Sequence, residues 1–262
     1  MALNFSTRSL MNYGLEINAL NQYLDFQAVN GITLTAIIPL GFYSLTGLAT
    51  AIALAMQSAD VNNNYSVTVN RNLMGGTQNR YTISTTGTFL SLLFLTGPNA
   101  NTSIASVIGF NPTDYLGQTS YIGSTNCGTN LIPTYVPYNY LDDYNIGDVF
   151  GAVNIAASGL KESVVFNIQQ FIQLEFMYED KTRLPEWRSF WYWAIQQRPF
   201  DFIPQISDPS VVYQVTLEKT ERSSQGLGFQ MREMLPNFPN MYQTGSLTFR
   251  IIAANQNFIT GT

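Results

Sequence analysis

The residue types that most enzymes use for catalysis are scarce in this chain, which contains no histidine. Without an imidazole there is no histidine general base, no Ser-His or Cys-His nucleophile and no histidine metal ligand. Two carboxylates could still hydrolyse a glycoside, and Glu175, Glu179, Asp180 and Glu186 lie close together in sequence. We favour the simpler interpretation, in which Glu175 is a solvent-facing strand residue and the others surround a turn before a helix.

The candidate ligand-binding motifs are also incomplete. Asp142, Asp143 and Asp148 suggest a calcium loop, but the ligand spacing of an EF-hand and its closing glutamate are missing. The glycines at 75–76 and 226–228 do not lead from a strand into a helix with a phosphate-binding lysine, so they indicate turns. We therefore expect no catalytic residues, no metal ion and no cofactor.

Three tryptophans lie close together and could form a platform for sugar rings. Trp187 and Trp191 share the apolar face of a predicted helix, which favours a role in the core. Trp193 and its neighbour Tyr192 fall on the other side of that helix. We predict that these two side chains contact another subunit.

The composition favours an assembly protein. Only 11% of the residues are charged, against about 25% in an ordinary soluble domain. Interface cores are poor in Lys, Glu and Asp and rich in aromatic residues and Met, and this chain has 15 Tyr, 17 Phe and 8 Met. The net charge of −5 argues against nucleic acid, whose binding needs clustered Lys and Arg. The lone Cys127 cannot close a disulfide within the chain, so we expect a structural thiol.

The first half of the chain predicts a strand, a helix and a hairpin. Residues 35–56 are apolar and long enough to span a membrane, but Pro39 and Gly41 interrupt them, so we expect no membrane insertion. We predict a strand over 32–38 and a helix that Ser44 caps. A hairpin over 65–84, a buried strand over 88–95, a short helix over 103–108 and a long loop arm over about 111–145 follow.

A change in charge density near residue 148 indicates a domain boundary. Residues 1–150 hold 3 basic and 7 acidic side chains, and residues 151–262 hold 9 and 10. We predict an N-terminal α+β module over 1–148 with a β-hairpin sheet. An antiparallel β-sandwich over 149–262 would carry one Trp-rich helix at 185–197. The fold class is therefore mainly β with a few helices, α+β.

This helix and the strands after it resemble the tail-ring proteins of tailed bacteriophages, including distal tail proteins. The resemblance rests on residues 184–187 (LPEW), Phe190, Trp193, 198–204 (RPFDFIP), 213–217 (YQVTL) and 244–250 (TGSLTFR). The first half resembles modules of phage virion proteins at 39–45 (PLGFYSL), 81–84 (YTIS) and 108–111 (IGFN), with Asp114 and Tyr115. Distal tail proteins usually place their sandwich first, whereas here the clearest similarity is C-terminal, which leaves a tail adaptor or baseplate ring open.

The resemblance implies a non-enzymatic virion subunit located in the phage tail. It would form a homo-oligomeric ring, a hexamer favoured, and bind other tail or baseplate proteins. Two other classes stay open: a receptor- or carbohydrate-binding virion module that contacts glycans, and a wall-degrading glycosidase. The predicted interface residues are aromatic: Tyr115, Tyr121, Tyr135, Tyr138, Tyr140, Tyr144, Tyr192 and Trp193.

Overall fold

The computed structural model describes residues 9–29, 31–72, 78–133, 148–155, 161–204, 206, 210–220, 231–234 and 238–254. It confirms a mainly β, α+β fold with antiparallel sheets. The first strands are β1 Leu10–Tyr13, β2 Leu15–Ile17, β3 Tyr23–Val29, β4 Ile32–Ile37, β5 Gly41–Tyr43, β6 Tyr65–Asn72, β7 Gln78–Thr85, β8 Leu90–Leu92, β9 Tyr115–Gln118, β10 Ser120–Ile122 and β11 Thr129–Leu131. The later strands are β12 Asp148–Ile155, β13 Lys161–Glu175, β14 Glu179–Asp180, β15 Phe200–Ile203, β16 Tyr213–Thr220, β17 Arg232–Met234, β18 Phe238–Gln243 and β19 Ser246–Ala254. The helices are α1 Leu45–Ala59 and α2 Leu184–Ala194, with single 3-10 turns at Ala100–Thr102 and Lys181–Arg183.

The described residues form two compact units, which we name after their helices. The α1 unit comprises the described parts of Leu10–Leu131 and Pro199–Ser210. The α2 unit comprises those of Met1–Ser9, Ile132–Arg198 and Val211–Thr262. The units are therefore not colinear with the chain, whereas the sequence-based division is a single cut after residue 148.

The α1 unit contains four groups of antiparallel strands, and residues of three of these groups pack with α1 into one core. The strand orders of the four groups are β4-β3-β8-β9, β10-β7-β6, β2-β5 and β11-β1-β15. Helix α1 packs against β4 and β6 and buries one face into this core. The buried residues of that face are Leu45, Leu48, Ala49, Ile52 and Met56.

Local sequence explains how α1 begins. The Ser44 side chain accepts a hydrogen bond from the Gly47 N–H at 3.0 Å, which satisfies one of the free amides of the first turn. The strand over 32–38 and the hairpin of β6 and β7 are likewise confirmed. No helix in the described part of the chain is both long and apolar enough to cross a membrane.

Two predictions for the α1 unit are wrong. The predicted helix over 103–108 is a series of turns, because six residues before Gly109 are too few to stabilise a helix. The predicted loop arm over 111–145 contains β9, β10 and β11 in its first part. These strands are only three or four residues long, too short to give a periodic pattern. Residues 134–147 lie outside the described part.

The α2 unit has two antiparallel sheets, β16-β19-β13-β12 and β14-β18-β17. Helix α2 begins at Leu184 with Pro185 in its first turn and ends at Ala194, three residues before the predicted end. Trp187, Phe190 and Trp191 are buried as predicted. The ring of Trp187 contacts that of Phe176, which directly follows β13, at 5.4 Å between centroids.

Candidate functional site

The acidic residues that suggested a glycosidase form an ion-pair network beside α2. The Arg183 guanidinium lies 3.2 Å from Glu179 Oε2 and 3.1 Å from Glu186 Oε2, so it binds both carboxylates. Asp180 accepts hydrogen bonds from the N–H and hydroxyl of Thr182 and caps a 3-10 turn. Glu179, Asp180 and Glu186 therefore bind groups of their own chain.

A metal site does not emerge from the residues that the structure describes. They contain no group of three or more His, Cys, Asp or Glu side chains placed to hold a metal ion. Asp142 and Asp143 of the suggested calcium loop lie outside the described residues. Of Asp148, only the backbone is described, as the first residue of β12.

Three aspartates of the α1 unit form hydrogen bonds with its loops and strand ends. Asp25 and Asp60 are buried and Asp114 is half-buried, and each accepts hydrogen bonds from residues of nearby turns or strands. The donors are Asn99 and Thr35 for Asp25, Asn62, Asn63 and Tyr65 for Asp60, and Leu95 and Thr96 for Asp114.

The fourth aspartate, Asp201 of β15, is fully buried at the beginning of α1. Its Oδ2 accepts from the N–H of Thr46 at 3.0 Å, the Thr46 hydroxyl at 2.9 Å and Arg71 Nη2 at 2.6 Å. Burial raises the pKa of Asp201, and the Arg71 charge and the Thr46 bonds partly oppose that rise. A negative group at a helix N-terminus is favourable, so Asp201 stabilises α1 and fixes β15 to β6.

These contacts leave the surface of the α1 unit almost without charge. Among its described charged residues Glu16 alone is exposed. The other six are buried or half-buried: Asp25, Asp60, Arg71, Arg80, Asp114 and Asp201. The described part of the α2 unit exposes five charged side chains: Lys181, Glu186, Arg188, Glu218 and Arg232. Among the described residues, exposed charges are therefore scarce on the α1 unit and more frequent on the α2 unit.

Two of the predicted interface tyrosines belong to an aromatic cluster inside the α1 unit. Tyr121 is 7% exposed, and its hydroxyl donates to the Leu90 carbonyl at 2.9 Å, so its side chain belongs to the core of this unit, and its interface role stays a prediction. Tyr115 is half-buried, and its ring lies 5.6 Å from that of Tyr121 and 5.2 Å from that of Phe110. Its interface role stays a prediction. The remaining tyrosines of this set lie outside the described residues: Tyr135, Tyr138, Tyr140 and Tyr144.

The other two predicted interface residues, Tyr192 and Trp193, differ in exposure. Tyr192 is 67% exposed, as the helical pattern predicts. Trp193 is only 8% exposed, so its predicted position outside the core is wrong. At about 100° per residue Trp193 lies only about 60° around the helix from Phe190. The Arg198 guanidinium covers its ring at 5.0 Å.

An uncharged groove lies beside β4, the edge strand of the β4-β3-β8-β9 sheet in the α1 unit. This groove of about 450 Å³ runs between β4 and α1. It is lined by Thr35, Ile37 and Pro39 on one side and by Ala51, Leu54, Ala55, Ser58 and Ala59 on the other. None of these residues is charged. The volume is within the usual range of binding pockets, and the small helix residues leave room for side chains of a partner.

The β4 wall of this groove is an open strand edge. The Ile38 N–H donates to the Gln22 carbonyl at 2.9 Å, and Ala36 pairs with Leu24 in the antiparallel register. Because the bonding direction alternates along an antiparallel strand, the backbone groups of Thr35 and Ile37 point away from β3. In the described part of the chain no strand lies on that side of β4.

Four apolar side chains on β4, just after it and on α1 are more than half exposed, and Ile37 and Leu54 among them line the groove. The four side chains are Ile32 at 57%, Ile37 at 59%, Leu40 at 60% and Leu54 at 63% exposure. Full burial of one such side chain stabilises by about 1.5–3 kcal/mol, so covering the remaining surface of all four is worth about 4–7 kcal/mol. Association costs about 4–15 kcal/mol in lost freedom, so one such contact is weak unless it is repeated.

No protein-family model matches the chain, and no curated protein matches it.

Proposed function

We propose that this chain is a structural subunit of a tailed-bacteriophage virion that assembles into a homo-oligomeric ring in the tail. We favour a hexameric ring. The subunit would be a distal tail protein, or a baseplate or tail adaptor, and would join the tail tube to distal components. The phage assignment rests on the sequence resemblance described above. The assembly role rests on the surface of the α1 unit.

The observation that carries the proposal is the single exposed charge, Glu16, among the described residues of the α1 unit. A surface that faces water throughout its life normally carries interspersed charges of both signs, which keep it soluble. Interface cores lack such charges. An α1 unit enclosed by neighbouring subunits explains why this surface differs from that of the α2 unit.

Solution mass tests this proposal directly. Sedimentation velocity of the purified full-length chain over a wide concentration range should show a closed species of several chain masses, six favoured. Negative-stain images of that species should show rings. A chain that stays monomeric at every concentration would refute the proposal.

The alternative, a carbohydrate-binding virion module, needs an exposed aromatic platform. The three tryptophans suggested for that platform, Trp187, Trp191 and Trp193, are buried, and among the aromatic residues of α2 Tyr192 is exposed. One exposed ring supports glycan stacking less well than a flat group of them. A stable monomer that binds cell-surface glycans on an array would favour this alternative.

A further inference from the structure

We propose that the groove between β4 and α1 receives an extended strand from a second copy of this chain, which pairs with the open edge of β4. The inference rests on the proposed function, since it names the surface through which ring subunits meet. Strand addition at a sheet edge obtains its affinity from backbone hydrogen bonds and its specificity from pockets for alternate side chains.

The groove offers both features of such a site. On one wall the N–H and C=O groups of Thr35 and Ile37 point outward, and among the described residues no backbone group occupies that side. On the other wall α1 presents small side chains, Ala51, Ala55 and Ser58, beside the exposed Leu54. A strand laid along β4 would bond to the first wall and place alternate side chains against the second.

The electrostatics of the groove favour a sister copy as the occupant. All of its lining residues are uncharged, so a charged side chain brought into the groove would lose water without gaining a partner. A second α1 unit meets this requirement, because Glu16 is the one exposed charge among its described residues. An unrelated protein of ordinary composition, with about 25% charged residues, meets it poorly.

The two edges of the β4 sheet differ in a way that supports pairing at β4. Soluble proteins protect open edges with charges, prolines, bulges or very short strands. The register with the neighbouring strand shifts at both edges, but at the opposite edge β9 has only four residues, with Gly117 at φ +72° among them. Strand β4 has six residues, with neither a charge nor a proline within it. Its edge is therefore suited to pairing with another strand.

A lysine in the groove tests the inference. Ile37→Lys places a charge at the open edge, and the side chain is 59% exposed, so we expect the monomer to fold with an unchanged melting temperature. Sedimentation velocity should show that half-assembly needs a concentration more than about tenfold higher than for the wild type. Ile252→Lys is the matched control, because Ile252 is 53% exposed, does not line the groove and belongs to the α2 unit, whose surface carries charges. It should assemble as the wild type does.

Amide hydrogen exchange in the full-length chain gives a second readout. The amides of Thr35 and Ile37 should exchange quickly in dilute monomer and at least about tenfold more slowly in the ring. A ring in which these amides stay fast and Ile37→Lys assembles normally would overturn the inference and leave the proposed function standing. Equal loss of assembly in Ile37→Lys and Ile252→Lys would also overturn it.

Two further outcomes distinguish a second copy of this chain from another protein as the occupant of the groove. Protection of Thr35 and Ile37 in a complex with a different purified protein, but not in the ring, would overturn the assignment to a sister copy. A wild-type chain that never associates would refute the proposed function itself, and with it the inference.

Discussion

The buried pair of Asp201 and Arg71 should couple strongly in a double-mutant cycle. Asp201 is fully buried and Arg71 Nη2 lies 2.6 Å from its Oδ2, with the Arg71 side chain 9% exposed. Removing one member of a buried ion pair leaves an uncompensated charge, which destabilises by about 3–5 kcal/mol. We therefore expect Asp201→Ala and Arg71→Met each to lower the free energy of unfolding by about that amount.

The double variant should be more stable than either single variant. Replacing both charges with apolar groups removes the uncompensated charge, and such replacements are often close to neutral. What remains is the lost acceptor for the Thr46 N–H and hydroxyl at the beginning of α1, worth about 1–3 kcal/mol.

Urea denaturation followed by circular dichroism measures all three values. Glu16→Ala, which removes an exposed charge, is the control and should change the unfolding free energy by less than about 0.5 kcal/mol. Additive effects of Asp201→Ala and Arg71→Met would refute the coupling. Single variants that destabilise the chain no more than Glu16→Ala does would also refute the coupling.

Three more expectations follow from individual residues. Burial raises the pKa of the Cys127 thiol to about 11, so it should not react with iodoacetamide at pH 8 until urea unfolds the chain. Gly109→Ala should destabilise by about 1–3 kcal/mol more than Gly31→Ala in urea denaturation. Both glycines have positive φ, but a Cβ at Gly109 would lie 2.3 Å from the Thr125 carbonyl oxygen, whereas at Gly31 it meets nothing. Burial raises the pKa of Asp60, but surrounding hydrogen bonds outweigh burial and lower it from 3.8. Stability from Asp60 is therefore present above pH 3.8 and lost as the pH falls through the lower folded pKa, so Asp60→Asn should weaken acid destabilisation in pH-dependent melts.

Elements with strong local signals could be predicted from the sequence. Helix α1 has an apolar face at helical spacing and a Ser44 cap, and both are observed. The hairpin of β6 and β7 alternates apolar and polar residues over 65–70 in the first strand and 81–84 in the second. These patterns are decided by neighbours in the chain, so no knowledge of distant contacts is needed.

Features that depend on distant residues could not be predicted. Asp201 belongs to the α1 unit although it follows α2 in the chain, and its partners Thr46 and Arg71 are more than a hundred positions away. The burial of Trp193 depends in part on Arg198, which covers its ring beyond the end of the helix. The groove beside β4 also had no sequence signal. Whether the edge of β4 is open depends on where the other strands of the sheet lie, and the residues of β4 alone do not determine that.

We propose that neighbouring subunits cover the surface of the α1 unit, whose described residues expose one charge, Glu16. Hydrogen–deuterium exchange of the full-length chain, compared between dilute monomer and assembled particles, tests it most directly. Protection on assembly should be concentrated in residues 10–131, the main part of the α1 unit. Protection confined to the α2 unit, with the α1 unit as exposed in the particle as in the monomer, would contradict the claim.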